Sequence, residues 1–419
     1  MQQLARSHAP GSLRPLFAAS PYFTSTPALV GQAAWMQAMF DGDDLSQAAA
    51  ALIKRANNNP MDADALLDLA CTLILRGDQQ TGLALQAEAL QIKRFYQLQF
   101  AARAPALRLL VLKAAGNFMA NTPIEFLLQH PRISVDVLYV GSGLPTPIAA
   151  PTHDAIFVAV SEAEHNIDTL LMIEQLLQTW HNPVINQPAL IPGIGRDKVW
   201  QCLAAVPGLH MPVNFRRSRA PLQRHQDLDY PMIIRPLDSH AGIGLEKLES
   251  AADLQRYLQN QPAEVFYLAP FIDYRSTDGQ FRKYRIVFID GAPFLCHMAI
   301  SSHWMVHYLN AGMNQDANKR AEEARVMDSF KTNFCARHRD AFAGLAEQIG
   351  LDYFGIDCAE TLDGELLIFE VANAMVVHAM DPVDMFPYKT RNMQAVFDAF
   401  QNLLFDRARI AQQWLAKTA

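Results

Sequence analysis

Two apolar runs in the C-terminal part of this 419-residue chain, each broken by one carboxylate, constrain its fold more than any other feature: Gly355-Ile356-Asp357-Cys358-Ala359-Glu360 and Leu366-Leu367-Ile368-Phe369-Glu370-Val371-Ala372-Asn373. Asp363-Gly364 stands between them, and Asp-Gly between apolar runs is a strong hairpin signal. Side chains alternate faces along a strand, so an acid inside an apolar run costs desolvation unless something pairs with it. Two such acids on neighbouring strands suit a shared cation. Magnesium typically takes one or two protein carboxylates and completes its shell with water and substrate phosphates. The pair therefore directs the reading upstream, to residues that could hold phosphate.

The length carries a soft expectation of about two or three domains. Half the residues are hydrophobic and 18% are charged, enough for a packed core and too apolar for wholesale disorder. A net charge of −7 argues against a general nucleic-acid binder. The five cysteines, Cys71, Cys202, Cys296, Cys335 and Cys358, are scattered, with no CxxC or zinc spacing. They read as reduced thiols of a cytoplasmic protein. No apolar run approaches the roughly 18 residues of a membrane span. Met1 to Tyr22 has no apolar core like that of a secretory signal and reads as a loose arm.

Residues 45 to 101 read as helices: Leu45 to Asn58, then Ala65 to Arg76 after the Asp62 to Asp64 cap, then Gln79 to Ala101. The Asn-Pro-x-Asp-Ala, helix, Gly-Asp, helix layout resembles one tetratricopeptide unit, and a stable array needs three or more. Leu107 to Leu112, Ile133 to Val140 and Ala155 to Val160 read as strands, alternating with helices at Pro123 to Gln129 and Asn166 to His181. That alternation predicts a small doubly wound domain. Further on, strands are expected at Met232 to Pro236, Val265 to Phe271, Arg282 to Ile289 and Pro293 to Ile300, the last two joined by Asp290-Gly291. One helix is expected from Ala321 to Gly350 and another near Asn392 to Lys417.

Three features could hold phosphate. Arg235 lies on a strand that leads into Asp238-Ser239-His240-Ala241-Gly242-Ile243-Gly244, whose glycines let backbone N–H groups approach phosphate oxygens, although turns alone would also use them. Lys198, beside Arg196, heads a helix, a favourable anion position, with a solvated lysine as the alternative. Arg285 falls within a strand and should point at something negative, either a ligand or an ordinary salt-bridge partner.

The order of these features (helix lysine, strand cation with glycine loop, linker strand, strand arginine, two carboxylates) resembles the ATP-grasp superfamily over about residues 190 to 405. Within it the closest likeness is to ribosomal-protein glutamate ligases and glutathione synthetase-type carboxylate–amine ligases. The resemblance implies an α+β fold: a helical, tetratricopeptide-like domain over residues 1–104, a doubly wound domain over 105–192 and an ATP-grasp module over 193–419. It implies ATP and Mg2+ as cofactors. Lys198 and Arg235 would contact phosphate, with arginine at 235 where the family usually has lysine. Gly242 and Gly244 would close over the phosphates. Tyr267 and Leu268 would present backbone groups to adenine, beside Ala269-Pro270 where a glutamate is common, and Asp273 would serve the ribose.

By the same resemblance Arg285 would hold the transferred phosphoryl group, and Asp357 and Glu370 the metal. The third metal ligand is usually an asparagine two residues after the glutamate. Here Ala372 holds that place, so either a bulge brings Asn373 to the site or another group serves. His303 and Asn310, in the histidine-rich stretch after residue 296, would face substrate, while His297 reads as a core histidine and His378 and Asp381 border the site or cap a loop. The implied reaction is amide or peptide bond formation through an acyl phosphate. Its partners would be a small-molecule carboxylate and amine (an amino acid or peptide), without nucleic acid or membrane, and a homodimer is admitted. The rivals are a ligase acting on a peptide or protein recognised by the helices, and a degenerate nucleotide-binding scaffold.

Overall fold

The computed structural model describes residues 29–98, 105–128, 132–144, 152–224, 228–237, 239 and 242–418, the side chains of 309 and 410–418 excepted. The arm expected at Met1 to Tyr22 lies outside them, as do Gln129 and, in the glycine loop, Asp238, His240 and Ala241. The chain forms two compact units, residues 1–99 and 100–419.

In the first unit, helices Gln32–Phe40, Leu45–Asn58, Ala63–Leu75 and Gln79–Ile92 follow one another. Asp44, Asp62 and Asp78 cap the last three, each side chain accepting a hydrogen bond from a backbone N–H of the first turn. Asp68, buried on the third helix, accepts from Val30 N (2.8 Å), Gly31 N (3.1 Å) and Trp35 Nε1 (2.9 Å), tying the first helix to the others. The fourth helix was expected to reach Ala101 but stops at Ile92, and strand β1 (Phe95–Leu98) follows. Adjacent aromatic residues favour extended backbone, and burying Tyr96 completely outweighs continuing the helix.

The second unit begins with parallel strands β2 (Leu107–Lys113), β3 (Ile133–Tyr139), β4 (Ala155–Val158) and β5 (Val184–Ile185), in spatial order β3-β2-β4-β5. Their near-continuous burial explains why these runs are predominantly apolar. The helix expected from Pro123 is only a 3-10 turn, Ile124–Phe126. Asn121 bridges to Val160 and Thr122 N donates to Ala159 O at 2.7 Å, so the chain enters Pro123 extended and pinned to the strand β4 side.

Two antiparallel arrangements follow β6 (Leu209–His210). The first has strands β7 (Phe215–Ser218), β8 (Met232–Pro236), β9 (Glu246–Leu248) and β10 (Val265–Pro270), ordered β7-β10-β8-β9. One face packs Ile234, Phe266 and Leu268 against Leu222, Leu254 and Leu258 of two covering helices. The second has antiparallel β11 (Phe281–Ile289), β12 (Ala292–Ser301), β13 (Tyr353–Glu360) and β14 (Leu366–Ala372), with β6 added in parallel at the edge, ordered β12-β11-β13-β14-β6. Both expected hairpins form. At the first turn Asp290 and Gly291 have φ of 50° and 76°, the left-handed pair of a type I′ connection.

The single helix expected over 321–350 is three: Ala317–Ser329, Phe334–Arg337 and Arg339–Ile349. The break lets Phe334 pack on Tyr284 of β11 at 4.4 Å between ring centroids and also meet Phe342. The last helix, Lys389–Thr418, sets Phe400 edge-on to Tyr353 of β13 and Phe157 of β4, joining the sheet to the doubly wound strands.

Candidate phosphate and carboxylate site

Register fixes the centre of the site. Arg285 on β11 stands opposite His297 on β12 and Asp357 on β13, and Asp357 stands opposite Glu370 on β14. Residues directly opposite one another share a sheet face, so His297, Arg285, Asp357 and Glu370 form one row across four strands. Lys283, two residues before Arg285, is on the same face.

Asp357 is the hub. Arg285 grips it with a two-point fork, Nε to Oδ1 at 2.9 Å and Nη2 to Oδ2 at 3.0 Å, and Lys283 Nζ reaches Oδ2 at 2.9 Å. Burial alone would raise the Asp357 pKa, but Arg285 and then Lys283 overcome it and hold the carboxyl well below the usual range. Glu370 is also lowered: burial opposes ionisation, and Arg196 and Arg235 together outweigh it. Burial, with Arg285 and Lys389 beside it, depresses the His297 pKa well below the ordinary imidazole value. His307 shifts the same way through burial and then Lys283 and Arg285. Both imidazoles are therefore neutral near pH 7.

The cation that the segment before β6 delivers is Arg196, not Lys198. Arg196 pairs with Glu370 at 2.5 Å and donates to Phe369 O at 3.2 Å. Lys198 is exposed and donates to Pro192 O at 3.3 Å; its helix, Val199–Leu203, is a bare turn and a half. Arg235 has no carboxylate hydrogen bond among the described residues. It donates to Ser239 Oγ at 3.0 Å and to Ser239 O. Burial and the neighbouring Arg196 lower its pKa to about 9, against the pull of Glu370. It stands in register with Tyr267, which faces Arg216 on the other side, so this sheet presents an arginine–tyrosine–arginine row on the face away from its apolar core.

Gly242 and Gly244 adopt φ of 76° and 66°. A Cβ on Gly244 would come within 2.8 Å of Pro236 Cδ, so its glycine is required by the turn into β9 with or without a ligand. Tyr267 and Leu268 are both flanked by paired strands, and the Leu268 side chain belongs to the apolar core. The β7 ladder ends at Leu268, so the linker edge of β10 opens at Ala269. Asp273 is exposed and held by Arg275 Nε at 3.0 Å, which lowers its pKa.

Asn373 requires a correction. A bulge does occur in the β13–β14 ladder, but it lies between Asp357 and Cys358, opposite Phe369. From Glu370 to Ala372 the register is regular, so Ala372 shares the Glu370 face and Asn373 points the other way. There Asn373 is fully buried: Nδ2 donates to Val160 O at 2.8 Å, Oδ1 accepts from Glu162 N at 3.1 Å, and its carbonyl accepts from Thr122 Oγ1 at 2.8 Å. It clamps the sheet to the doubly wound strands and is not turned to a metal. Asn186 works similarly, its side chain making two 2.8 Å bonds to the Tyr353 backbone.

No group of three His, Cys, Asp or Glu side chains suited to a metal occurs among the described residues. Asp357 and Glu370 alone are a two-carboxylate set. It fits a hard cation that brings most of its oxygen ligands, as one carried by a polyphosphate does, and not one held by protein alone.

His303 and Asn310 are exposed and engaged locally. His303 Nδ1 accepts from Met305 N at 3.2 Å, and Asn310 Oδ1 accepts from His307 N at 2.9 Å. The stretch sends Tyr308 inward instead, with its ring 4.5 Å from that of His297. Tyr308 OH donates to Glu323 Oε2 at 3.2 Å, as does Tyr388 OH at 2.6 Å, while Lys389 Nζ lies 2.9 Å from Asp381 and 3.5 Å from Glu323. His378 packs near Phe126, and burial lowers its pKa to about 4 although Asp381 opposes the shift.

No family model and no curated protein matches the chain. Solved structures similar to the chain include three proteins. VanG D-Ala:D-Ser ligase from Enterococcus faecalis shares 11% identity at a TM-score of 0.44, with 71% of this chain and 99% of the other covered. D-alanine-D-alanine ligase from Coxiella burnetii shares 10% at 0.43, with 74% and 99% covered. A RimK domain ATP-grasp protein from Sphaerobacter thermophilus shares 16% at 0.38, with 72% and 99% covered.

Proposed function

We propose that the chain is an ATP-dependent, ADP-forming carboxylate–amine ligase. The observation that carries this reading is the row Arg285–Asp357–Glu370 with Lys283, Arg196 and Arg235 around it: four cations against two carboxylates. That surplus suits a polyphosphate, and the acids suit its metal counter-ion. When bound, magnesium would withdraw charge from the phosphoryl oxygens, with Asp357 and Glu370 as its protein ligands. Arg235 and Arg196 hold the phosphate chain. Arg285 neutralises the group in transfer while a substrate carboxylate oxygen attacks the γ-phosphorus and ADP leaves. The amine then attacks the acyl carbonyl carbon, phosphate departs, and the amine loses its proton. The protein contributes placement and charge, with no covalent step on a side chain. The two carboxylic and amine substrates would be small molecules such as amino acids or a peptide.

Calorimetry with magnesium–ATP tests the binding half of this reading. Saturable 1:1 binding that Arg235→Ala weakens at least tenfold supports it; binding indifferent to Arg235→Ala and Arg196→Ala contradicts it. A second reading, a nucleotide-binding scaffold without turnover, draws on the burial of Asn373 away from the carboxylates. It predicts the same binding with no ADP release for any acid and amine pair.

A further inference from the structure

We propose that Lys283 is a resident counter-cation that competes with a divalent metal ion for Asp357 Oδ2, and that metal arrival frees its ammonium for an anionic substrate oxygen. The inference rests on the reading of Asp357 and Glu370 as the metal carboxylates. Asp357 carries one negative charge and two cations, one more than neutrality requires. The two are not equally fixed. Arg285 is a planar fork with both oxygens of Asp357 in its grasp and a third contact to Val376 O at 3.3 Å. Lys283 makes its one hydrogen bond among the described residues to Oδ2, and a lysine is a flexible point charge. On the site face Oδ2 therefore carries one fixed bond, from Arg285, and one removable bond, from Lys283. Arg196 guards Glu370 from a separate segment and is additionally anchored on Phe369 O.

Once displaced, Lys283 remains on the site face two residues from Arg285. The oxygen of a transferred phosphoryl group or of the substrate carboxylate is the anion at hand there. Lys283 thus couples two events: no divalent ion is held strongly without nucleotide, and metal loading supplies an additional cation to the reacting anion.

Manganese binding by electron paramagnetic resonance, on the full chain without nucleotide, reads this directly. Lys283→Met should tighten Mn2+ at least tenfold over the unaltered protein, because the competitor for Oδ2 is gone. Adding Asp357→Asn to Lys283→Met should abolish the gain, and Lys283→Arg, which keeps a cation, should leave affinity near the starting value. Equal Mn2+ affinity for the unaltered and Lys283→Met proteins overturns the proposal. Absence of Mn2+ binding in every form, even with a non-hydrolysable ATP analogue, strikes instead at the carboxylate pair as a metal position. A melting curve for each variant confirms that the comparison is among folded proteins.

Discussion

Replacing Asp357 by asparagine removes the single negative charge that Arg285 and Lys283 share. The side chain is only 7% exposed, and it accepts three charge-assisted hydrogen bonds. Deleting one partner of a buried ion pair leaves the remaining charge uncompensated and costs ~3–5 kcal/mol. Asparagine keeps one oxygen, so the lower end, ~3 kcal/mol, is expected. Glu370→Gln is the internal control: its side chain is 25% exposed and its one ion pair among the described residues is to Arg196, so about 1 kcal/mol is expected. At ~2 °C per kcal/mol for a unit of this size, Asp357→Asn should lower the melting temperature by about 6 °C and Glu370→Gln by about 2 °C. Both should abolish ATP turnover. Scanning fluorimetry of the full chain gives both shifts. A cycle with Lys283→Met sharpens the test: with one cation fewer to strand, Asp357→Asn should cost at least 1 kcal/mol less in that background. Equal shifts for the two acids, or strict additivity in the cycle, would refute the reasoning.

Arg285→Ala should cut the turnover number at least a hundredfold while weakening ATP binding far less, since its charge is needed most during transfer; steady-state kinetics beside calorimetry would show equal losses if it only binds. Asn373→Ala strands Val160 O and Glu162 N in a buried position and should cost ~2–3 kcal/mol in chemical denaturation, while leaving the Mn2+ affinity unchanged. Moving the amide by Ala372→Asn with Asn373→Ala should not restore that loss. In the helical unit burial raises the Asp68 pKa to about 7 from its ordinary 3.8. Its native form therefore binds more protons than the unfolded chain between those values, and stability of this unit should fall as pH rises from about 4 to about 7. Hydrogen exchange of the Trp35 and Leu69 amides at pH 5 and 7.5 reads the effect, and faster exchange-corrected opening at pH 5 would contradict it.

Strand-borne charges were the legible part of this chain. Asp357, Glu370 and Arg285 stand out in sequence because an ion inside an apolar run needs a partner, whereas the bulge opposite Phe369 that sets Asp357 across from Glu370 carries no sequence signal, and regular alternation would have put the two acids on opposite faces. The Asp-Gly turns were legible for a similar reason: positive φ leaves few residue choices, as Asp290 and Gly291 illustrate. Arg196 was harder to see, because Lys198 two residues later offers the same charge and only tertiary placement decides which one reaches Glu370. Asn373 misled because a neutral amide serves equally as a metal ligand or as a backbone clamp, and register chose the clamp. Lys283 carried no signal of its own in Phe281-Arg282-Lys283-Tyr284-Arg285. Arg282, one residue away, faces Asp278 and Glu322 instead, a division that follows from strand alternation once the Asp357 partner is known. The break after Ser329 was invisible to helical periodicity because it serves a packing contact, Phe334 on Tyr284.

The most direct measurement is ATP consumption by the purified chain with magnesium, across a panel of carboxylates each offered with and without amines, resolving ADP from AMP. The account predicts ADP and phosphate, released only when a particular acid and amine are both present, and lost in Glu370→Gln. AMP and pyrophosphate as products would contradict the acyl-phosphate mechanism, and ADP release unaffected by Glu370→Gln would contradict the assignment of the site.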